Sequence, residues 1–263
     1  MITENEDMSR ESVAEAMGIA PALTPFFSEL LSDIWILGSW PDTILEITRS
    51  IDLSPQRANV LELGCGKGAI LLPLALRLGL RVRGVDLYEP FIQEARARAE
   101  NLGVAGRCVF ELADMRNVLR EGPNYDMAII AAVGDILGDF AQTVGEMRKT
   151  VRKGGFMIID DGFLATATHL DRKGYEYYRP HDVTRRQLKA HGDVILKEVI
   201  IPLERLKTIN RSNTERIRHR AAVLSRKYPR MRDLFREYVR LEENECRTLE
   251  KAVVPAVWLL WRA

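Results

Sequence analysis

Residues Asn59 to Leu72 read NVLELGCGKGAILL. Val60, Leu61 and Leu63 form a short apolar run, Gly64, Gly66 and Gly68 follow at alternate positions, and Ala69 to Leu76 resume at helical spacing. That order predicts a buried strand, a glycine-rich turn and the start of a helix. A chain that turns from strand to helix in so few residues visits conformations that a Cβ disfavours, and side chains there would keep a ligand from the backbone amides. The stretch is therefore a candidate cofactor site, around which the rest of the chain is read.

The 263 residues are 46% hydrophobic and carry a net charge of +1, enough apolar material for one good-sized core with a helical addition and no sign of disorder. A balance so near neutral makes any basic surface local. Cys65, Cys108 and Cys246 are widely spaced without a CxxC, which argues against a disulfide framework or a zinc knuckle and fits a reducing compartment. The polar start, MITENEDMSRES, and the lack of a long apolar run predict a cytoplasmic protein without a membrane span.

Before the glycine turn, Glu11 to Met17, Pro25 to Leu37 and Asp42 to Ile51 show helical spacing, a preface over residues 1–54. Trp35 and Trp40 flank Gly38-Ser39 and read either as packing this preface onto the core, the favoured reading, or as lining a ligand pocket. After the turn, strands and helices alternate: a strand Arg81 to Val85 ending in Asp86, a helix Pro90 to Leu102, a strand Cys108 to Leu112 followed by Asp114, and an apolar strand Met127 to Val133. A helix Gln142 to Val151 is expected to end at Lys153-Gly154-Gly155, before a strand Phe156 to Ile159 that ends in Asp160-Asp161. Such alternation implies an α/β fold, a parallel sheet covered on both faces with ligands at the carboxyl ends of its strands.

Gly64-x-Gly66-x-x-Ala69 with Asp86 also satisfies the dinucleotide fingerprint, so the turn alone does not choose the cofactor. The full constellation does more. Glu62-x-Gly64-x-Gly66-x-Gly68, Asp86, Asp114, Tyr125-Asp126 and Lys-Gly-Gly together resemble a class I S-adenosylmethionine-dependent methyltransferase with a Rossmann-like fold, of the broad quinone-biosynthesis-like group that acts on small molecules. The resemblance is close over residues 55 to 165. It implies that the Gly64, Cys65, Gly66 and Gly68 backbone packs on the methionine part of S-adenosyl-L-methionine and that Glu62 helps place the ammonium. Asp86 would take the ribose hydroxyls, Leu87 would pack on the adenine, and Asp114 with Met115 would reach the adenine amino group and face. Asp114 also suits a helix N-cap. Lys67 and Lys153 depart from the family pattern, which favours a small residue and a proline at those places. Cys65 between two glycines, with no histidine near it in sequence, is not assigned as a nucleophile.

Asp193 to Ile201 and Val253 to Trp261 are expected to form an antiparallel pair closing the sheet, and Asp182 to cap a helix through Leu188. Between them, residues 203–251 read as a helical hairpin. Ser212-x-x-Glu215 is a capping box for its first helix, and Met231, Leu234, Phe235, Tyr238 and Leu241 form the apolar stripe of its second. The domains expected are thus a preface at 1–54, a core at 55–202 with 252–263, and this insertion, a cap or homodimer element. Its first half is basic (Arg205, Lys207, Arg211, Arg216, Arg218, Arg220), which raises nucleic acid as a partner. Its acidic second half and the scarcity of aromatics favour a solvated or acid-paired face instead.

Methyl transfer from a sulfonium to a small molecule, giving S-adenosyl-L-homocysteine, is an in-line displacement that works by positioning and requires a base only when the acceptor holds its proton. Candidate bases are Asp135, Asp160 and Asp161 at strand ends, and His169, Tyr175, Tyr177, Tyr178 and His181 beyond them. The same aspartates resemble the metal site of catechol-type O-methyltransferases, but Asp-Asp replaces that family's Asp-Asn pair, and no metal is assigned. The alternatives are an RNA or protein methyltransferase using the basic hairpin and a cofactor-binding protein without turnover.

Overall fold

The computed structural model describes Ala14 and residues 18–55, 57–122, 124–166, 169–170 and 174–263; the helix expected over Glu11 to Met17 lies outside these apart from Ala14. Seven strands, β1 (Asn59–Leu63), β2 (Arg81–Asp86), β3 (Cys108–Leu112), β4 (Tyr125–Ala131), β5 (Val151–Leu164), β6 (Val194–Ile200) and β7 (Val253–Trp261), form one sheet in the order β3-β2-β1-β4-β5-β7-β6. The pairs from β3 to β5 are parallel, whereas β6 and β7 run antiparallel. The Gly154 and Gly155 backbone exchanges hydrogen bonds with Arg262, joining the start of β5 to the residue after β7. A parallel strand crosses a core covered on both faces, which is why Val60, Leu61 and Leu63 of central β1 are apolar and fully buried.

The helices follow from spacing and punctuation. They are α1 (Phe27–Leu30), α2 (Pro41–Arg49), α3 (Leu71–Leu78), α4 (Glu89–Asn101), α5 (Met115–Val118), α6 (Phe140–Met147), α7 (His181–Leu188), α8 (Leu203–Lys227) and α9 (Arg232–Ala252). Helix α3 packs on β2, α4 on β2 and β3, and α7 on β5. Helix α6 starts on a full capping box, the Asp139 carboxylate accepting from the Gln142 amide and the Gln142 side chain from the Asp139 amide. None of the helices among the described residues is long and apolar enough to cross a membrane.

Several boundaries differ from expectation for local reasons. The helix expected over Pro25 to Leu37 is a 3-10 turn (Pro21–Phe26) followed by the single-turn α1. Pro25 lacks an amide hydrogen, and just past α1 the Ser32 hydroxyl donates to the Glu29 carbonyl, competing with the helix ladder. Ser212-x-x-Glu215 caps nothing, because α8 begins nine residues earlier, behind Pro202, and runs through it. Asp182 lies in the first turn of α7, behind Pro180, and pairs with Arg186 at 2.6 Å. Lys153-Gly154-Gly155 does not precede β5 but lies within it: the pairing to β4 slips from Tyr125↔Val151 to Met127↔Phe156, and Gly154 at φ +74° absorbs the bulge. Strand β4 stops at Ala131 because Ala132 turns to φ +51°, the one non-glycine residue with positive φ among those described.

The chain clusters into two compact units, residues 36–200 with 255–263, which hold most of the sheet, and residues 1–35 with 201–254, which hold α1, α8 and α9. Residues 1–54, expected as one preface, are divided between them. In the helical unit, Phe26 packs edge-on against Phe235, Phe27 packs edge-on against Tyr238, and Arg218 pairs with Glu243 at 2.6 Å. In the sheet unit, Gly84 of β2 has no room for a side chain: a Cβ there would lie 2.7 Å from the Cys65 Sγ and 2.8 Å from Leu71 Cδ1. Gly84→Ala is accordingly expected to lower stability by about 1–3 kcal/mol through overpacking, read as a shift of the urea midpoint at constant slope.

Candidate active site

Register decides which carboxylates meet. Glu62 lies beside Gly84 on one side and Ile129 on the other, and Ile129 lies beside Ile158. Aligned residues share a face and successive ones alternate, so Glu62, Asp86 and Asp160 fall on one face of the sheet and Asp161 on the other.

Glu62 is 2% exposed, and its Oε2 has no hydrogen-bond partner in the structure. Burial, compounded by the Asp86 and Asp160 carboxylates, raises its pKa well above the usual range. Asp86 accepts from the Gly66 amide at 2.8 Å and the Tyr88 amide at 2.9 Å, tying the glycine turn to the end of β2. Burial raises the Asp86 pKa, and these amides oppose the rise. Asp160 accepts from the Trp40 amide at 2.6 Å, and burial likewise lifts it well above its ordinary value. Trp40 is itself buried, as the packing reading expected. These carboxylates converge beneath a turn whose backbone is left bare by glycine. At Gly64, φ is +76° and a Cβ would stand 2.6 Å from Val133 Cγ1 and 3.4 Å from Met115 Cε.

The other expected residues take distinct places. The Cys65 thiol is buried toward Gly84, and burial pushes its pKa well up, which suits packing rather than nucleophilic use. Leu87, next to Asp86, is half-buried. Asp114 is the N-cap of α5, accepting from the Arg116 amide at 2.8 Å and pairing with the Arg116 guanidinium at 2.6 Å, which lowers its pKa. Met115 is buried against Gly64. Asp135 is exposed in the turn after β4, and His169 is exposed. Tyr177 and Tyr178 donate to Asp161 at 2.8 and 2.6 Å, with Tyr175 stacked on Tyr178. His181 is drawn away to Glu198 at 2.9 Å, where the carboxylate also accepts from Trp258 and Arg185.

Lys67 was not singled out as functional by sequence, since a lysine between two glycines reads as exposed. Its side chain is fully buried, with Nζ 2.9 Å from Glu94 of α4 and 5.4 Å from the Phe91 ring centroid. It thus pins the glycine turn to α4, the helix that follows Asp86. The signal available was Glu94, an acidic residue in the helix that follows Asp86.

A seven-stranded sheet of this order, with a glycine turn after β1 and acidic residues at the ends of β1 and β2, defines the Rossmann-like methyltransferase class of fold. The family profile described as "Methyltransferase domain" matches residues 55–212, more than half of the chain, and the chain belongs to that family. A SAM-dependent methyltransferase from Geobacter sulfurreducens, solved with S-adenosyl-L-homocysteine, superposes with a TM-score of 0.78 over 91% of this chain and 98% of its own, at 18% identity. Among curated relatives, a ubiquinone biosynthesis O-methyltransferase of Methylobacterium sp. (strain 4-46) is 33% identical over 96 residues, 36% of this chain and 37% of its own length. A sterol 4-C-methyltransferase of Caenorhabditis elegans is 23% identical over 133 residues, 51% of this chain and 39% of its own. The chain thus spans well under two thirds of these relatives' lengths.

The Lys67 pair carries an asymmetric expectation. Glu94→Gln leaves the buried ammonium without its carboxylate and is expected to cost about 3 kcal/mol or more. Lys67→Met fills the same space, leaves half-exposed Glu94 paired to Arg98, and is expected to cost less than about 1.5 kcal/mol. Chemical denaturation of the two variants checks the order.

Proposed function

We propose that this protein transfers the methyl group of S-adenosyl-L-methionine to a small-molecule acceptor. The observation that carries the reading is the buried Glu62 carboxylate beneath the glycine turn, whose Oε2 has no hydrogen-bond partner and which Asp86 and Asp160 flank. Three carboxylates desolvated together favour a bound cation, and the cofactor's ammonium and sulfonium are cations. The glycine turn fits the same ligand, because its bare backbone admits a close approach. Bound there, the cofactor supplies an electrophilic methyl group.

The residues divide the work of holding it. Glu62 takes the ammonium, and the Gly64, Cys65, Gly66 and Gly68 backbone lies along the methionine part. Asp86 keeps lone pairs for the ribose hydroxyls while accepting from its own loop, since an ionised carboxylate has about four acceptor positions. Leu87, Met115 and Asp114 line the adenine end, with Asp114 fixed by its capping role and by Arg116. Lys67 holds the turn against α4, so the methionine and ribose ends are set at a fixed separation before binding.

A small-molecule acceptor is supported by the relatives' activities and by the charge pairing of the hairpin. Arg218 meets Glu243, Arg220 meets Asp33, Lys227 meets Glu29 and Lys207 meets Glu204. Basic residues matched by acidic ones in the same unit present less positive charge to phosphates than the sequence alone suggests.

Calorimetric titration with S-adenosyl-L-methionine is expected to show one site, and Asp86→Ala to weaken it by about 1–3 kcal/mol, the scale of lost charged hydrogen bonds. Wild-type protein that takes up no cofactor contradicts the assignment, as does an Asp86→Ala variant of undiminished affinity.

A further inference from the structure

The base of the helical hairpin carries polar groups that cofactor binding does not use. Helix α8 buries only Ile217, Ala221 and Leu224, and α9 only Phe235 and Tyr238, all in the halves of the two helices nearer the turn that joins them. Residues 203–216 and 239–252 bury none. Where the apolar packing stops, a cleft with about 410 Å³ of accessible space opens between the two helices. That size falls within the roughly 300–1,000 Å³ of small-molecule pockets, which form between packed helices among other places.

Three contacts fix the register of the helices across this cleft. Asn210 donates to Glu250 at 2.9 Å, the Thr214 hydroxyl lies 3.8 Å from the Cys246 Sγ, and Arg218 pairs with Glu243 at 2.6 Å. Arg211 lies between the first two of these contacts on α8, and Arg247 lies between the same two on α9. Both line the cleft, so the two arginines stand at one level on its opposite walls. Among the described residues, neither side chain has an ion pair or a hydrogen bond. They differ in this from Lys207 and Arg218, which also line the cleft and are matched by Glu204 and Glu243. On the acidic side, Glu243 and Glu250 are held by Arg218 and Asn210, which leaves Glu215, one turn beyond Arg211.

We propose that this cleft binds a small hydroxylated oxyanion, a phosphate monoester or a dicarboxylate, held between Arg211 and Arg247. A guanidinium presents a planar fork of N–H donors that matches two oxygens of a carboxylate or phosphate. Two such forks on facing walls suit opposite sides of one anion, which supplies the countercharge that the hairpin's own carboxylates do not. Glu215, an acceptor when ionised, takes a hydrogen bond from a hydroxyl on the rest of the ligand. The polar seam itself points the same way. Apolar side chains there would add burial to the pairing of α8 with α9, and departures from such a pattern gather at functional places. The cleft uses no residue of the glycine turn, so its assignment stands apart from the methyltransferase reading.

The test uses glycerol 3-phosphate, malate and uncharged glycerol as probes, titrated into the whole protein at constant ionic strength. Binding is followed by NMR at the arginine Nε–H resonances, for wild type, Arg211→Gln, Arg247→Gln and Arg226→Gln. Arg226 is exposed on α8 and outside the cleft, so its variant removes the same charge elsewhere. Glutamine is close to arginine in helix propensity, which preserves the fold of all three variants. In wild type, glycerol 3-phosphate or malate is expected to saturate with a Kd of about 1 mM or tighter and to shift the Arg211 and Arg247 resonances, while glycerol does not bind. Affinity is expected to fall about tenfold or more in Arg211→Gln and in Arg247→Gln, as charge-assisted hydrogen bonds are lost, and to stay unchanged in Arg226→Gln. A preference for glycerol 3-phosphate assigns a phosphate and a preference for malate a carboxylate; either supports the proposal. No saturable binding of either anion, equal binding of glycerol, shifts spread evenly over the arginines, or an equal loss in Arg226→Gln overturns it.

Discussion

Carboxylates kept out of water without a countercharge are costly, and the sheet unit is built around three of them. Glu62, Asp86 and Asp160 come from different strands and reach one face only because β1, β2, β4 and β5 hold a fixed parallel register. Backbone amides relieve part of the cost at Asp86 and Asp160, while Glu62 Oε2 is left bare. Much of the neighbouring structure serves this arrangement. Gly84 makes room for Cys65 under the turn, Lys67 pins the turn from below, and Trp40 delivers its amide to Asp160. A cation set among these groups would favour their ionised forms and offset the cost of burying them, so the arrangement suits a positively charged ligand.

The parts of this design that were legible in the sequence are those fixed by local pattern. The strand–glycine turn–helix beginning at Asn59, the acidic end of β2, the bounds of β3 and β7, and the extent of the hairpin all follow from spacing and glycine placement. What was not legible depends on long-range pairing. Asp160 and Asp161 are adjacent and look equivalent in sequence, yet register sends one toward Glu62 and the other to two tyrosines sixteen and seventeen residues on. Lys67 reads in sequence as a tolerated departure, and it is burial against Glu94, from a helix further along the chain, that gives it a part in the turn. Ser212 had the residues of a cap and lacked the chain break that makes one, because the helix already had a start at Pro202.

Electrostatic self-pairing also explains why the hairpin's composition misleads. Its first helix is basic along the sequence, but α9, α1 and the turn that follows α1 return acidic partners to it within the same unit. Charge read along the chain overstates the field when opposite charges are far apart in sequence and near in space.

If the three buried carboxylates make a cation site, its occupation is linked to their protons. Their raised pKa values mean that these carboxyls hold protons at pH values where free carboxylates do not. A cation favours the ionised forms, so binding should expel protons and tighten as pH rises from about 5 toward neutrality, above the usual carboxylate range. Calorimetry of S-adenosyl-L-methionine binding at pH 6, in buffers of different ionisation enthalpy, measures this. Net proton release on binding is expected; binding with no proton release, or with proton uptake, rules out the cation site.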